Sequence, residues 1–303
     1  MRKDLLERLD SGEILICDGA VGINLQLMGC EPGESVEKWG LEHNDILRNL
    51  HKSYIEAGAD ILITNTLGGN RIKLDRYGLA KEVESLNKGL AELALDVASG
   101  FSKTVYIAGN VGPTTKLMEP YGELTESEAM DVFSQQVKVL VDSGVDFIFI
   151  ETMTDVNEAS CAVKASKAIC DLPVFASMSF DPGKRGFRTV LGNSPQQVVE
   201  MLQSAGAEVV GSNCGSVFAP QMPELIKQMR EADARFIAVE PNAGIPQMIN
   251  GKTVFPHTPQ DMAIHVPAMI DAGANVVGGC CGTTPEHIRL IAETARKYID
   301  VKY

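Results

Sequence analysis

Four times along this chain a helical pattern ends in a glycine phrase and turns at once into an apolar run. The phrases are Glu56-Ala57-Gly58-Ala59-Asp60-Ile61-Leu62, Ser143-Gly144-Val145-Asp146-Phe147-Ile148, Ser204-Ala205-Gly206-Ala207-Glu208-Val209-Val210 and Asp271-Ala272-Gly273-Ala274-Asn275-Val276-Val277. Glycine just past the last helical turn takes the left-handed backbone that other residues resist. A β-branched apolar run straight after it reads as a strand. So short a helix-to-strand loop, repeated, implies a parallel sheet whose strands are covered by helices.

With that unit in hand, eight strands are expected: Ile14–Cys17, Ile61–Thr64, Val105–Gly109, Phe147–Ile150, Val174–Met178, Val209–Gly211, Phe236–Val239 and Val276–Gly278. Amphipathic helical stretches separate them, among them Ile46–Ala57, Glu126–Asp142, Val156–Cys170, Pro195–Ala205, Pro259–Asp271 and Pro285–Tyr298. Thr125 with Glu128, and Ser194, Thr258 and Thr284 each before a proline, supply N-terminal signals. Eight strand–helix units in 303 residues match a (β/α)8 TIM barrel, a single α/β domain over residues 1–303. The alternative is an open doubly wound sheet. No G-x-G-x-x-G follows the first strand, which counts against its dinucleotide-binding form.

The formal net charge of −13 repels phosphate backbones and anionic headgroups, so neither nucleic acid nor membrane is an expected partner. The longest charge-free stretch, Val209 to Pro223, has 15 residues, short of the roughly 20 apolar residues a membrane helix needs. The opening MRKDLLERLD mixes charges with leucines and has no apolar secretory core, so the expected location is cytoplasmic. Seven cysteines in such a chain read as reduced thiols, and the odd count with an adjacent pair points to metal or catalytic use of some.

In a barrel the chemistry sits at the C-terminal ends of the strands. The residues arriving there are Asp18-Gly19-Ala20, Asn65-Thr66, Asn110-Val111-Gly112-Pro113, Glu151-Thr152, Ser179-Phe180-Asp181, Asn213-Cys214-Gly215, Glu240-Pro241-Asn242-Ala243-Gly244 and Cys280-Cys281-Gly282. Three cysteines thus reach one rim from two strands. Sixty-six residues separate Cys214 from Cys280, so only the fold can unite them. Three soft thiolates can hold zinc with one position open for a substrate. On spacing alone two other readings stand: small residues packed beside glycines, or a vicinal disulfide. His257, His265 and His287 fall in or beside helical patterns and read as surface or packing residues.

The ending Gly278-Gly279-Cys280-Cys281-Gly282-Thr283-Thr284-Pro285-Glu286-His287-Ile288 resembles the zinc-binding signature of homocysteine S-methyltransferases. Gly211-Ser212-Asn213-Cys214-Gly215 resembles the segment carrying the first zinc cysteine. Asp18-Gly19-Ala20, Thr64-Asn65-Thr66, Gly109-Asn110-Val111-Gly112-Pro113 and Glu151-Thr152-Met153 match as well, and Pro241-Asn242-Ala243-Gly244 looks like the homocysteine module of the cobalamin-dependent branch. The resemblance runs from about Glu13 to Ile299.

It implies that Cys214, Cys280 and Cys281 ligate zinc and that homocysteine joins them as fourth ligand, ionises and takes a methyl group to give methionine. Glu151 is then expected to hold the amino group of homocysteine. Asp18 with Gly19 and Ala20 is expected to position the amino acid, Asp18 having a helix cap as its other reading. Asn65, Thr66, Asn213 and Asn242 are expected either at the substrate or bracing loops. No D-x-H-x-x-G corrinoid motif occurs in the sequence, so the expected donor is cobalamin carried by a separate methyl-corrinoid protein. The alternatives are a small donor (S-methylmethionine, S-adenosylmethionine or a betaine), a corrinoid-system docking subunit with another acceptor, and a zinc scaffold without activity.

Overall fold

The structure is a computed structural model and describes residues 4–249 and 252–302. Its frame is eight parallel strands: Leu15–Ile16, Ile61–Ile63, Tyr106–Val111, Phe147–Met153, Val174–Met178, Val209–Asn213, Phe236–Glu240 and Val276–Val277. In chain order each pairs with the next, and the last pairs with the first. Between the first and second strands the ladder is a single parallel bridge, Cys17 to Ile61. The Asp18 N–H donates to the Ile61 carbonyl at 3.1 Å and the Asp60 N–H to the Ile16 carbonyl at 2.7 Å, which closes the barrel. All eight expected strands are present, and the open-sheet alternative falls with the closure.

The repeated phrase has a structural purpose. Gly58, Gly144, Gly206 and Gly273 all take positive φ, between 91° and 113°, as the helix ends require. Two residues on, each phrase carries an acid or amide that reaches sideways to the foot of the preceding strand. Asp60 accepts the Ile16 N–H at 3.1 Å, Asp146 the Ile107 N–H at 2.6 Å, Glu208 the Val174 N–H at 2.8 Å and Asn275 the Ile237 N–H at 3.0 Å. Every even-numbered strand therefore begins by satisfying a backbone donor of its odd-numbered neighbour, which fixes their register.

Inside the barrel the inward side chains form a closed apolar column. Phe147, Phe149 and Phe175 lie with ring centroids 4.3 to 6.4 Å apart, joined by Tyr106, Phe236, Val209 and Ile61. A short helix, Leu5–Asp10, capped by the Asp4 side chain on the Leu6 N–H, inserts Leu5 and Leu9 into the same cluster. The leucines read only as evidence against a leader thus plug the barrel at its N-terminal end.

Two details differ from the sequence reading. The expected helix Pro259–Asp271 is two helices, Pro259–Ala263 and Val266–Ala272, because Pro267 has no N–H to return to the Ala263 carbonyl. Two small hairpins, Asp181–Gly183 with Gly186–Arg188 and Gln247–Ile249 with Lys252–Val254, rise from the loops after the fifth and seventh strands. Among the described residues no helix is long and apolar enough to cross a membrane.

Candidate active site

The sixth strand delivers Asn213 at its end, and the chain then turns sharply. Cys214 and Gly215 both take left-handed backbone, φ 55° and 61°. A side chain at Gly215 would place its Cβ 2.4 Å from the Phe180 carbonyl, so only glycine lets the loop pass that close. The turn aims the Cys214 thiol at the loop after the eighth strand, where Cys280 and Cys281 stand side by side.

The three sulfurs lie within 4.8 Å of one another. Cys214 Sγ is 3.3 Å from Cys280 Sγ and 3.6 Å from Cys281 Sγ. All seven cysteines are free thiols, so the vicinal disulfide is absent. The cluster is half-buried and shares its protons unevenly. Hydrogen bonds from Cys214 and Cys280 push the Cys281 thiol down to about 4, while hydrogen bonding to its two neighbours and burial push Cys280 up. Three converging sulfur atoms could hold a metal ion, and thiolate donors favour a soft one.

A cavity of about 360 Å³ opens above the sulfurs, lined by all three cysteines and by Gly19, Ala20, Asn65 and Glu151 from the expected set. Glu151 is only 7% exposed. Burial raises its carboxyl to about 7, against a hydrogen bond from the Asn110 side chain and with help from Cys214. Asn213 Nδ2 donates to Glu151 Oε2 at 2.7 Å and to Thr152 Oγ1 at 2.7 Å, and lies 3.6 Å from Cys280 Sγ. Its Oδ1 accepts from the Thr152 N–H at 2.8 Å and the Ser177 hydroxyl at 2.5 Å. Every hydrogen-bonding position of this amide is committed.

Asp18, Thr66 and Asn242 stand behind the cavity wall. Asp18 accepts the Ile63 N–H at 3.0 Å and caps no helix, since Gly22–Leu27 begins at Val21 without a side-chain cap. Burial first, then the Glu151 charge, hold the Asp18 carboxyl well above its usual range. Thr66 donates to the Asn110 carbonyl at 2.7 Å, and Asn242 Nδ2 to the Gly215 carbonyl at 2.9 Å. Asn65 lines the cavity and also braces the Val36 carbonyl at 3.0 Å. Ala20 is fixed at both backbone groups: its N–H donates to Thr283 Oγ1 at 3.1 Å, and its carbonyl accepts from the Tyr54 hydroxyl at 2.7 Å. His287 packs as expected, its Nε2 3.0 Å from the His257 carbonyl.

Sequence reasoning placed Asn110 and Glu240 at the strand ends but gave neither a role. Both line the cavity, 5% and 2% exposed. The signal was there for Glu240: like Glu151, it is a lone acid ending an apolar strand.

The homocysteine S-methyltransferase family model matches residues 15–295. Methionine synthases of Mycobacterium tuberculosis and Mycobacterium leprae are each 29% identical, over 95% and 98% of this chain. The chain spans 25% of the length of each. In structure it is similar to the Escherichia coli homocysteine methyltransferase MmuM, with TM-scores of 0.78 for the metallated form and 0.80 for the oxidised form. Those matches cover 95% and 96% of this chain and 99% of MmuM, at 21% and 23% identity.

Proposed function

The chain belongs to the homocysteine S-methyltransferase family, and on that premise we propose that it moves a methyl group onto the thiol of homocysteine, giving methionine. The observation that carries the reading is the union, in one cavity, of three converging thiols with a buried carboxylate. An amino-acid thiol needs both: a soft partner for its sulfur and an anion for its ammonium.

Cys214, Cys280 and Cys281 would hold zinc, whose donor preferences they fit. When bound, zinc makes a coordinated thiol give up its proton and so supplies the nucleophilic thiolate. The other steps belong to the chain's own groups. Glu151 binds the ammonium end and, held by Asn213, keeps its distance from the sulfur cluster constant. The Gly19–Ala20 backbone, fixed by Thr283 and Tyr54, forms the facing wall. The apolar column below keeps water from reaching the site through the barrel. Substrate thiol and methyl donor then meet on the open side, where in-line attack needs only approach and alignment.

The preferred donor is a methyl-corrinoid protein acting in trans. Exposed Leu27, Met28, Leu117, Tyr121, Ile245 and Met248 all lie in the connections that follow the first, third and seventh strands, on the side where the barrel opens, and such apolar exposure around an opening suits a macromolecular partner. The kinship to methionine synthases supports the same choice. Methionine formation by zinc-loaded protein, with methylcobalamin-loaded protein, S-methylmethionine, S-adenosylmethionine and a betaine supplied one at a time, tests both halves. Turnover with a small donor alone would reassign the donor. Absence of methionine with every donor would remove homocysteine as acceptor.

A further inference from the structure

The walls of the cavity carry more carboxyl groups than binding one ammonium group through Glu151 explains. Besides Glu151, the seventh strand ends in Glu240, 2% exposed, whose Oε1 has no hydrogen-bond partner. Glu240 stands in register with Asn213 on the neighbouring strand, the residue that holds Glu151. Across the cavity Asn110, 5% exposed, turns its amide to Glu151 and leaves its own Oδ1 without a partner. Two buried acceptors are therefore unfilled in one cavity, a costly arrangement unless a ligand fills it.

Among the described residues the chain brings no cation to meet them. The charges acting on Asp18, Glu151 and Glu240 come from one another and from a nearby thiol, none of them a cation. Lys73 is the one cationic side chain lining the cavity among the described residues, and it lies beside Gly68, whose N–H is held by Glu37. An ammonium group brings three N–H donors and no acceptor. Three residues lining the cavity carry matching acceptors: Glu151 with its carboxylate, Glu240 with Oε1 and Asn110 with Oδ1.

We propose that Glu240, together with Asn110, determines specificity for the amino group of the acceptor, so that the site takes an α-amino thiol and rejects the same thiol without its amine. This rests on the acceptor being an amino-acid thiol. Glu151 alone would bind an ammonium group. Three acceptors fix its orientation, and a ligand lacking the amine leaves Glu240 Oε1 and Asn110 Oδ1 unfilled, which is the arrangement that yields large discrimination.

The test compares homocysteine with 4-mercaptobutanoate, its deaminated analogue, by calorimetry on the zinc-loaded protein. Wild type is expected to bind homocysteine at least roughly 100-fold more tightly. Glu240→Gln should weaken homocysteine by roughly 10- to 100-fold, the range for a hydrogen bond to a charged group, and leave 4-mercaptobutanoate within about twofold. Asn110→Ala should split the two ligands in the same direction. If Glu240→Gln does not fold, Glu240→Asp keeps the charge with a shorter reach and should show the same selective loss. Equal weakening of both ligands, or unchanged discrimination, overturns the proposal and makes Glu240 a structural residue. Wild-type protein that binds both thiols equally would instead remove the amino-acid acceptor itself, a failure separate from any result with Glu240.

Discussion

Asn213 at the end of the sixth strand and Glu151 in the fourth are joined by a 2.7 Å hydrogen bond that spans the strand between them. The next residue after Asn213 is a cysteine of the sulfur cluster, so one amide couples the position of the carboxylate to that of the thiols.

From that coupling, Glu151→Gln should retain zinc and weaken homocysteine binding by about 2–3 kcal/mol, the scale of a charge-assisted hydrogen bond. Asn213→Ala should reduce both homocysteine affinity and zinc retention. Metal content by atomic absorption, alongside ligand titration, separates the two variants. Equal zinc loss in both would sink the division of labour.

Purified protein should carry about one zinc per chain. Replacing any one of Cys214, Cys280 or Cys281 by Ala should abolish activity and leave the far-ultraviolet circular dichroism unchanged, because the thiols stand on loops above the packed column. Stoichiometric zinc in the triple Ala variant would show that the sulfurs are not its ligands.

The buried acids should make the metal-free fold sensitive to base. Burial raises the folded-state carboxyls of Asp18, Glu151 and Glu240, so above about pH 4 the unfolded chain releases protons that the folded chain keeps. Stability contributed by these groups is full below that pH and is lost as pH climbs through the folded values, about 7 for Glu151. Glu240→Gln removes one such ionisable group and should stabilise the protein by about 1–3 kcal/mol at pH 8, because the amide has no proton to lose and no charge to bury. The gain should shrink at pH 5. Thermal melts at the two pH values measure it, and a destabilised variant at pH 8 would contradict the account.

At the other end of the barrel, Asp146→Ala strands the Ile107 N–H and should cost about 1–3 kcal/mol. Phe175→Ala opens the aromatic column and should cost about 3–5 kcal/mol. Urea unfolding with an unchanged m-value would confirm that both act on the native state.

What could be read from the sequence follows from where its information is local. The glycine phrase fixes helix end, turn and strand within seven residues, and the four strands that follow it lie where it put them. The strand ends were drawn too short: Asn110, Glu151, Thr152 and Asn213 look like loop residues, yet their backbones continue the ladder to Val111, Met153 and Asn213. The sulfur cluster was legible because two adjacent cysteines are rare and distinctive. The cost of an unpartnered Glu240 oxygen was not, because being unpartnered is a property of the whole site. Nor was the purpose of Asp60, Asp146, Glu208 and Asn275, whose acceptors serve a strand at least 34 residues away in sequence.

The helix Leu5–Asp10 has a consequence for traffic. With the barrel stoppered at one end and filled with aromatic rings above the stopper, the cavity is a blind vessel with a single mouth. On the proposed function, whatever binds deepest must arrive first. Homocysteine cannot slip past a donor already seated at the rim, and methionine cannot leave until the spent donor withdraws. Steady-state kinetics should therefore be compulsory-order, with methionine competitive against homocysteine and the demethylated donor released first.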